Sequence, residues 1–293
     1  MAIRRAQVRV AALAVAIVLS AAGPTAAGKN SKSSVVARAA VVLDQSSGRA
    51  LFTKNADKRM YPASTTKVLT AILAIESGRL DEVVTIQRTD LQVVPSIIGL
   101  LPGERIKLRD LVYGLMLRSG NDAARAIARH IAGSQVRFAA RMNAKARELG
   151  CSGSHFVNAH GLPHRNHYTT ALDLGRIMRY AMRNDEFRKI TATRHYRSQS
   201  TRMRRNFYNK NKLLKLYEGT LGGKPGYTRA AQQTLVAAAQ RSGREVVVVC
   251  LHSYGKALWS DAIQLFDIGF RRLDARSAAS PTGAVVVRSR SGS

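Results

Sequence analysis

The chain is short of acids. Its 293 residues hold 18 Asp and Glu against 47 Lys and Arg, a formal net charge of +29. That imbalance points to an anionic partner or surface, with nucleic acid and an anionic cell-envelope polymer as the two candidates. Cysteine is scarce too, with Cys151 and Cys250 alone. Cys250 ends the apolar run Val246 to Val249, where a small buried residue fits, so two separate buried thiols are expected rather than a bridge. No His/Cys spacing suggests a structural zinc site, and no metal or other cofactor is expected. Internal repeats are lacking. So is any apolar run long enough to cross a bilayer comfortably, since the best candidate is Val10 to Ala22.

That short run decides between the two partners. Arg4, Arg5 and Arg9 precede or open it, and Pro24-Thr25-Ala26-Ala27-Gly28 follows it with small residues. Positive, apolar and small segments in that order make a cleaved secretory signal peptide over residues 1–27, with an uncleaved anchor as the alternative. An exported protein has no nucleic acid to bind, so none is expected as a partner. Residues 28–34 read as a flexible segment. Residues 274–293, rich in Ser, Arg and Gly, read as a disordered basic tail without an apolar face, so no stable membrane anchor is expected.

Between these ends the pattern changes twice. Ala37 to Asp44 and Arg49 to Lys54 flank the turn Gln45-Ser46-Ser47-Gly48 and read as an antiparallel hairpin. A helix starts about Ser64, carries Val68, Leu69, Ile72 and Ile75 at helical spacing, and stops at Gly78. Val83 to Ile86 is a short strand candidate. Helices follow over Leu108 to Leu117, Asp122 to about Ile131 with Asp122 as its cap, Gln135 to Leu149 after Ser134, and from Thr169 or Thr170 to about Arg183. Leu221 to Thr228, Thr234 to Ala239 and Glu245 to Leu251 read as three strands, and Ala257 to Leu273 as an amphipathic helix. Strands at both ends and helices between them predict an α/β (α+β) chain: one antiparallel sheet of five strands, flanked by helices, with a helical block inserted at about 80–190.

Three short motifs carry chemistry. In Ser64-Thr65-Thr66-Lys67 the serine and lysine share a helix face, so the amine comes within reach of the hydroxyl and can take its proton. Ser119-Gly120-Asn121 sits between two helices. Ser119 there can relay a proton between a lysine amine and a leaving nitrogen, and Asn121 can hold a peptide backbone with its amide. Lys224-Pro225-Gly226 opens a strand. Lys224 offers positive charge to a carboxylate, and Gly226 lets a substrate approach the backbone closely. The N–H groups of Ser64 and Tyr227 would make an oxyanion hole.

The three motifs in this order resemble those of penicillin-binding proteins and β-lactamases. The flanking text narrows the resemblance. Asn55-Ala56-Asp57-Lys58-Arg59, Ser119-Gly120-Asn121-Asp122-Ala123-Ala124, Asn158-Ala159-His160-Gly161-Leu162, His167-Tyr168-Thr169-Thr170-Ala171, Asn211-Lys212-Leu213-Leu214 and Gly226-Tyr227-Thr228 are similar to the D-alanyl-D-alanine carboxypeptidases of the S11 serine-peptidase type, low-molecular-mass penicillin-binding proteins. The resemblance covers residues 35–273. It implies a DD-peptidase/β-lactamase-like catalytic domain with Ser64, Lys67 and Ser119 as catalytic residues. It also implies substrate contacts from Asn121, Lys224, Gly226, Tyr227 and Thr228. Ser64 would attack the penultimate D-alanine carbonyl of a peptidoglycan stem peptide, and β-lactam antibiotics would acylate the same serine. His160 and His167 are expected to orient their loop, and Arg229 to add charge for a carboxylate or to stand solvated.

One residue departs from the family text. Pro225 stands where Thr or Ser is usual. The lost hydroxyl weakens recognition of the terminal carboxylate, and the missing N–H is tolerable if it faces the open edge of the sheet. Competing readings are a DD-endopeptidase acting on cross-links and a catalytically weak peptidoglycan-binding protein. A β-lactamase is disfavoured because no clear deacylating glutamate follows the second motif.

Overall fold

A computed structural model describes residues 35–279. The expected signal peptide, the segment 28–34 and the tail beyond 279 lie outside the described residues. The first hairpin forms as read, β1 (Ala39–Asp44) against β2 (Ala50–Lys54). A 3-10 turn over Ala63–Thr66 leads into α1 (Lys67–Glu76), which ends before Gly78 at φ +70°. Eight of the ten α1 residues are buried, Lys67 and Thr70 among them. A helix apolar on every side belongs inside a core, and α1 packs against α3 (Asn121–Ala132), α5 (Ala171–Ala181) and α6 (Asp185–Ala192).

The remaining helical block contains a small hairpin of β3 (Val83–Thr85) and β4 (Arg105–Lys107), then α2 (Leu108–Tyr113) and α4 (Gln135–Glu148). The helix expected over Leu108 to Leu117 changes pitch on the way: Gly114–Arg118 winds as a wider π turn before Ser119 adopts a left-handed conformation at φ 68°. Asp122 is not the cap of α3. That position is held by Gly120, and the Asp122 carboxylate instead accepts the N–H groups of Ile98, Gly99 and Leu100 as well as that of Ala123. Ser134 and Thr170 cap α4 and α5 as read, accepting from Arg137 N and Asp173 N.

Residues 184–216 hold elements with weak sequence signals. Asn184 caps α6 through Phe187 N, a hairpin follows of β5 (His195–Ser198) with β6 (Arg205–Tyr208), and α7 (Leu213–Leu216) is a single turn. The chain then returns to the main sheet with β7 (Thr220–Thr228), β8 (Gln232–Arg241) and β9 (Arg244–Ser253). The five strands run antiparallel in the order β2-β1-β9-β8-β7. Both faces are covered. Val41, Leu43, Val236, Val247 and Val249 face the helical block, whereas Val42, Leu235, Val246, Val248 and Cys250 face α8 (Ala257–Ala279). That explains why β9 reads as a continuous apolar run rather than an alternating one.

The last helix reaches Ala279, so residues 274–279 of the expected tail are helical. Its apolar stripe ends near Leu273, but the Ala- and Arg-rich sequence favours continuing the helix, and Asp274 pairs with Arg244 at 2.6 Å. Cys151 and Cys250 are separate, buried thiols, and burial pushes the pKa of Cys151 up to about 12.

Candidate active site

The turn bearing Ser64 is held from three sides. Ala63 sits at φ 50°, a conformation that costs a non-glycine residue roughly 1–3 kcal/mol and must be enforced by its surroundings. Thr65 Oγ1 donates to Pro62 O at 2.7 Å, and Thr234 Oγ1 reaches the same carbonyl from β8 at 3.0 Å. On the other side Gly161, at φ 87°, passes so close that a Cβ there would lie 1.8 Å from Ala63 O. Thr66 Oγ1 bonds to His167 Nε2 at 2.9 Å, and Val157 N donates to His167 Nδ1 at 3.1 Å. Because Nδ1 accepts, Nε2 carries the proton and donates it to Thr66. His160 and His167 are both held neutral, pushed down to about 3 by burial first and then by nearby positive groups.

Lys67 begins α1 and is fully buried. Its Nζ lies 3.0 Å from Ser64 Oγ and donates to Asn121 Oδ1 and to His160 O, both at 2.7 Å. Burial, then the Lys224 and Lys210 ammoniums, hold its pKa well below the usual lysine range, with Asp122 acting weakly the other way. A neutral amine has two N–H bonds and one lone pair. The two carbonyl oxygens take the N–H bonds, which aims the lone pair at Ser64. Asn121 Nδ2 meanwhile donates to Val94 O at 2.8 Å, so both ends of its amide are engaged inside the protein. In this arrangement Asn121 positions Lys67; the peptide-holding role expected for it would require its amide to change partners.

The third motif lies along β7, the edge of the sheet. Gly223 N, two residues before Pro225, donates to Thr191 Oγ1 of α6 at 2.9 Å. Backbone N–H groups two apart share a side, so Gly223, Pro225 and Tyr227 all face away from β8. The proline therefore removes no ladder bond, and it pairs with Leu235 within a register that is continuous from Gly222 to Thr228. Gly226, which lines the cleft, has a second task toward the protein itself. A Cβ there would stand 2.7 Å from Ser64 N, so the glycine lets β7 press against the nucleophile's own backbone. Lys224 is fully buried, donates to Pro225 O at 3.0 Å, and is pushed down to about 7 by burial and then by Lys210. Tyr227 is 58% exposed at the lip. Thr228 Oγ1 accepts Ala231 N at 3.0 Å and so closes the β7–β8 turn, with Arg229 exposed beside it.

Ser64, Ser119, Lys224, Gly226 and Tyr227 line one cleft of about 390 Å³, together with Pro95, Ser96 and Lys210. Sequence reasoning missed Lys210, whose Nζ reaches Ser96 Oγ at 3.4 Å and whose charge depresses both other lysines. Its position directly before Asn211-Lys212-Leu213-Leu214 was the available signal. Asp122 and Arg205 were missed as well. They hold the chain just after Pro95 and Ser96 of the cleft, Asp122 through the N–H groups at 98–100 and Arg205 through the carbonyls of Ile98 and Gly99 and a buried pair with Glu104.

A serine and a buried amine at the start of a central helix, facing a lysine on an edge strand, define a serine acyl-transfer enzyme on a DD-peptidase fold. The chain belongs to the S11 peptidase family, the D-alanyl-D-alanine carboxypeptidases, whose model matches residues 25–254. A D-alanyl-D-alanine carboxypeptidase of Mycobacterium tuberculosis is 39% identical over 236 residues, 78% of this chain and 81% of its own length. One from a Streptomyces strain is 35% identical over 289 residues, covering 92% and 99%. Among solved structures, a variant of a Streptomyces DD-transpeptidase superposes with a TM-score of 0.79 at 34% identity, covering 82% of this chain and all of that one. The crystal structure of a Mycobacterium tuberculosis D-alanyl-D-alanine carboxypeptidase gives 0.77 at 37% identity, covering 80% and 91%.

Proposed function

We propose that the protein removes the terminal D-alanine from peptidoglycan stem peptides through an acyl-enzyme on Ser64. The observation that carries this reading is the Lys67 amine, buried, depressed in pKa, and fixed between two carbonyls with its third direction toward Ser64 Oγ. Lys67 takes the Ser64 proton as Oγ bonds to the penultimate carbonyl carbon. The N–H groups of Ser64 and Tyr227 hold the oxyanion. The carbon–nitrogen bond breaks, the proton passes by way of Ser119 to the leaving amine, and D-alanine departs. Water then hydrolyses the ester by the same steps reversed. Lys224 receives the substrate's terminal carboxylate. The family and the named relatives support a carboxypeptidase over an endopeptidase on cross-links.

β-Lactams acylate the same serine under this reading. The signal-like N-terminus supports action outside the cytoplasm on the cell wall. Among the described residues no helix is long and apolar enough to cross a membrane. Anionic envelope polymers hold the protein by charge. Labelled penicillin tests the nucleophile: wild type takes the label and Ser64→Ala does not. D-Alanine released from a pentapeptide ending in D-Ala-D-Ala tests the reaction, and absence of release with intact penicillin labelling would refute it.

A further inference from the structure

A second hollow, of about 460 Å³, opens where β1 begins and β9 ends. Its walls include Arg38, Arg59 and Arg165 with Tyr61, Tyr168 and Ala230. All three arginines are exposed, and none has a carboxylate within ion-pair distance among the described residues. Arg59 lies over the Tyr168 ring, 4.7 Å from its centre, which holds one guanidinium in place without neutralising it. Three like charges converging on a concave surface repel one another, and an anion seated among them relieves that repulsion. Guanidinium forks with aromatic walls suit a planar carboxylate.

The hollow adjoins the cleft. Tyr61 is three residues before Ser64 and Ala230 three after Tyr227, so each is within about 11 Å of the cleft by chain length alone. Direction follows from the site described above, and the inference rests on that reading. A terminal carboxylate at Lys224 and a scissile carbonyl between Ser64 and Tyr227 orient the peptide along β7. Its upstream end then runs past Thr228 toward Ala230 and the arginines. At about 3.5 Å per extended residue, a group two to three residues upstream of the acylated D-alanine arrives there.

We propose that this hollow is a subsite for a carboxylate carried two to three residues upstream of the acylated D-alanine. It makes anionic stem peptides better ligands than neutralised ones, independently of the chemistry at Ser64.

The test uses two D-Ala-D-Ala peptides that differ at a γ-linked glutamate, its α-carboxylate free in one and amidated in the other. Calorimetric binding is measured on the full chain carrying Ser64→Ala, with and without Arg38→Gln, Arg59→Gln and Arg165→Gln together. The free carboxylate is expected to bind on the order of 10-fold tighter with the arginines present. With them replaced, the two peptides should bind alike, at the amidated peptide's original affinity. Equal binding of both peptides to the protein with its arginines, or a preference that survives their replacement, overturns the proposal. D-Alanine release by the wild type is scored separately. Preferential binding without release would refute the carboxypeptidase and leave the subsite standing. All three side chains are exposed, so the triple variant folds, and penicillin labelling with Ser64 restored checks that it does.

Discussion

Lys67 and Lys224 stand in one cleft with opposite requirements. Lys67 must be neutral to accept a proton, and Lys224 must be charged to hold a carboxylate. The surroundings favour the state Lys67 needs and oppose the one Lys224 needs, because burial and Lys210 press both toward neutrality. With its pKa pushed to about 7, Lys224 loses its charge as pH rises through that value. Since kcat/KM reports the free enzyme, it should fall roughly tenfold per pH unit above about 7 on a D-Ala-D-Ala peptide. Lys224→Gln should lower kcat/KM at pH 6 and abolish the alkaline fall, and a fall of the same shape in the variant would contradict the assignment. Pro225 tests the same grip. Its backbone leaves the ladder intact, so what is missing is a hydroxyl, and Pro225→Thr should raise kcat/KM for D-alanine release about 10-fold or more, the value of a hydrogen bond to a charged group. No gain on that substitution would place the carboxylate elsewhere. The motif residues were legible in sequence because covalent chemistry demands particular side chains at particular spacing. Lys210, Asp122 and Arg205 were not, because their roles exist only where distant loops meet.

At the level of elements, the strands and long helices were legible and the segment from 184 to 216 was not. The inner strands β1, β8 and β9 are apolar on both faces, which leaves a strong signal, and α4 and α5 announce their starts with Ser134 and Thr170. The missed hairpin of β5 and β6 is polar, basic and pinned by side chains from elsewhere, such as Tyr196, whose hydroxyl donates to Asp110 Oδ1 at 2.6 Å. Beside its apolar stripe and its ion pairs, α8 is tied to the sheet by one buried carboxylate. Asp261 is buried and accepts Val36 N at 2.7 Å, Ala37 N at 2.9 Å and Ser253 Oγ at 2.7 Å, tying the helix to the chain before β1 and to the end of β9. Asp261→Ala strands those donors and should cost about 3–5 kcal/mol, read as a lower urea midpoint with an unchanged slope. Penicillin labelling of Ser64 should survive at low temperature, because α8 covers the face of the sheet opposite the helical block. Labelling lost in parallel with the midpoint would show that the two faces are not separable.

For the whole molecule, the formal charge of +29 sets its behaviour toward surfaces. Retention on isolated cell walls should weaken steadily with added salt, as expected for exposed charges screened over a Debye length of about 8–10 Å, whereas D-alanine release from a short peptide should change far less. Retention that ignores salt would point to a specific receptor instead. The sheet's strand order carries a different consequence. β9 lies at the centre of the sheet, between β1 and β8, and Val41 pairs with Val249. The first strand to be synthesised therefore has no inner neighbour until nearly the whole described chain exists. Until then Ala39–Asp44 is an apolar ribbon bonded on one side, able to stick to another copy of itself. Protein quality control thus meets this chain at its most vulnerable just before completion, and a ribosome stalled ahead of Arg244 releases a product with no native state to reach.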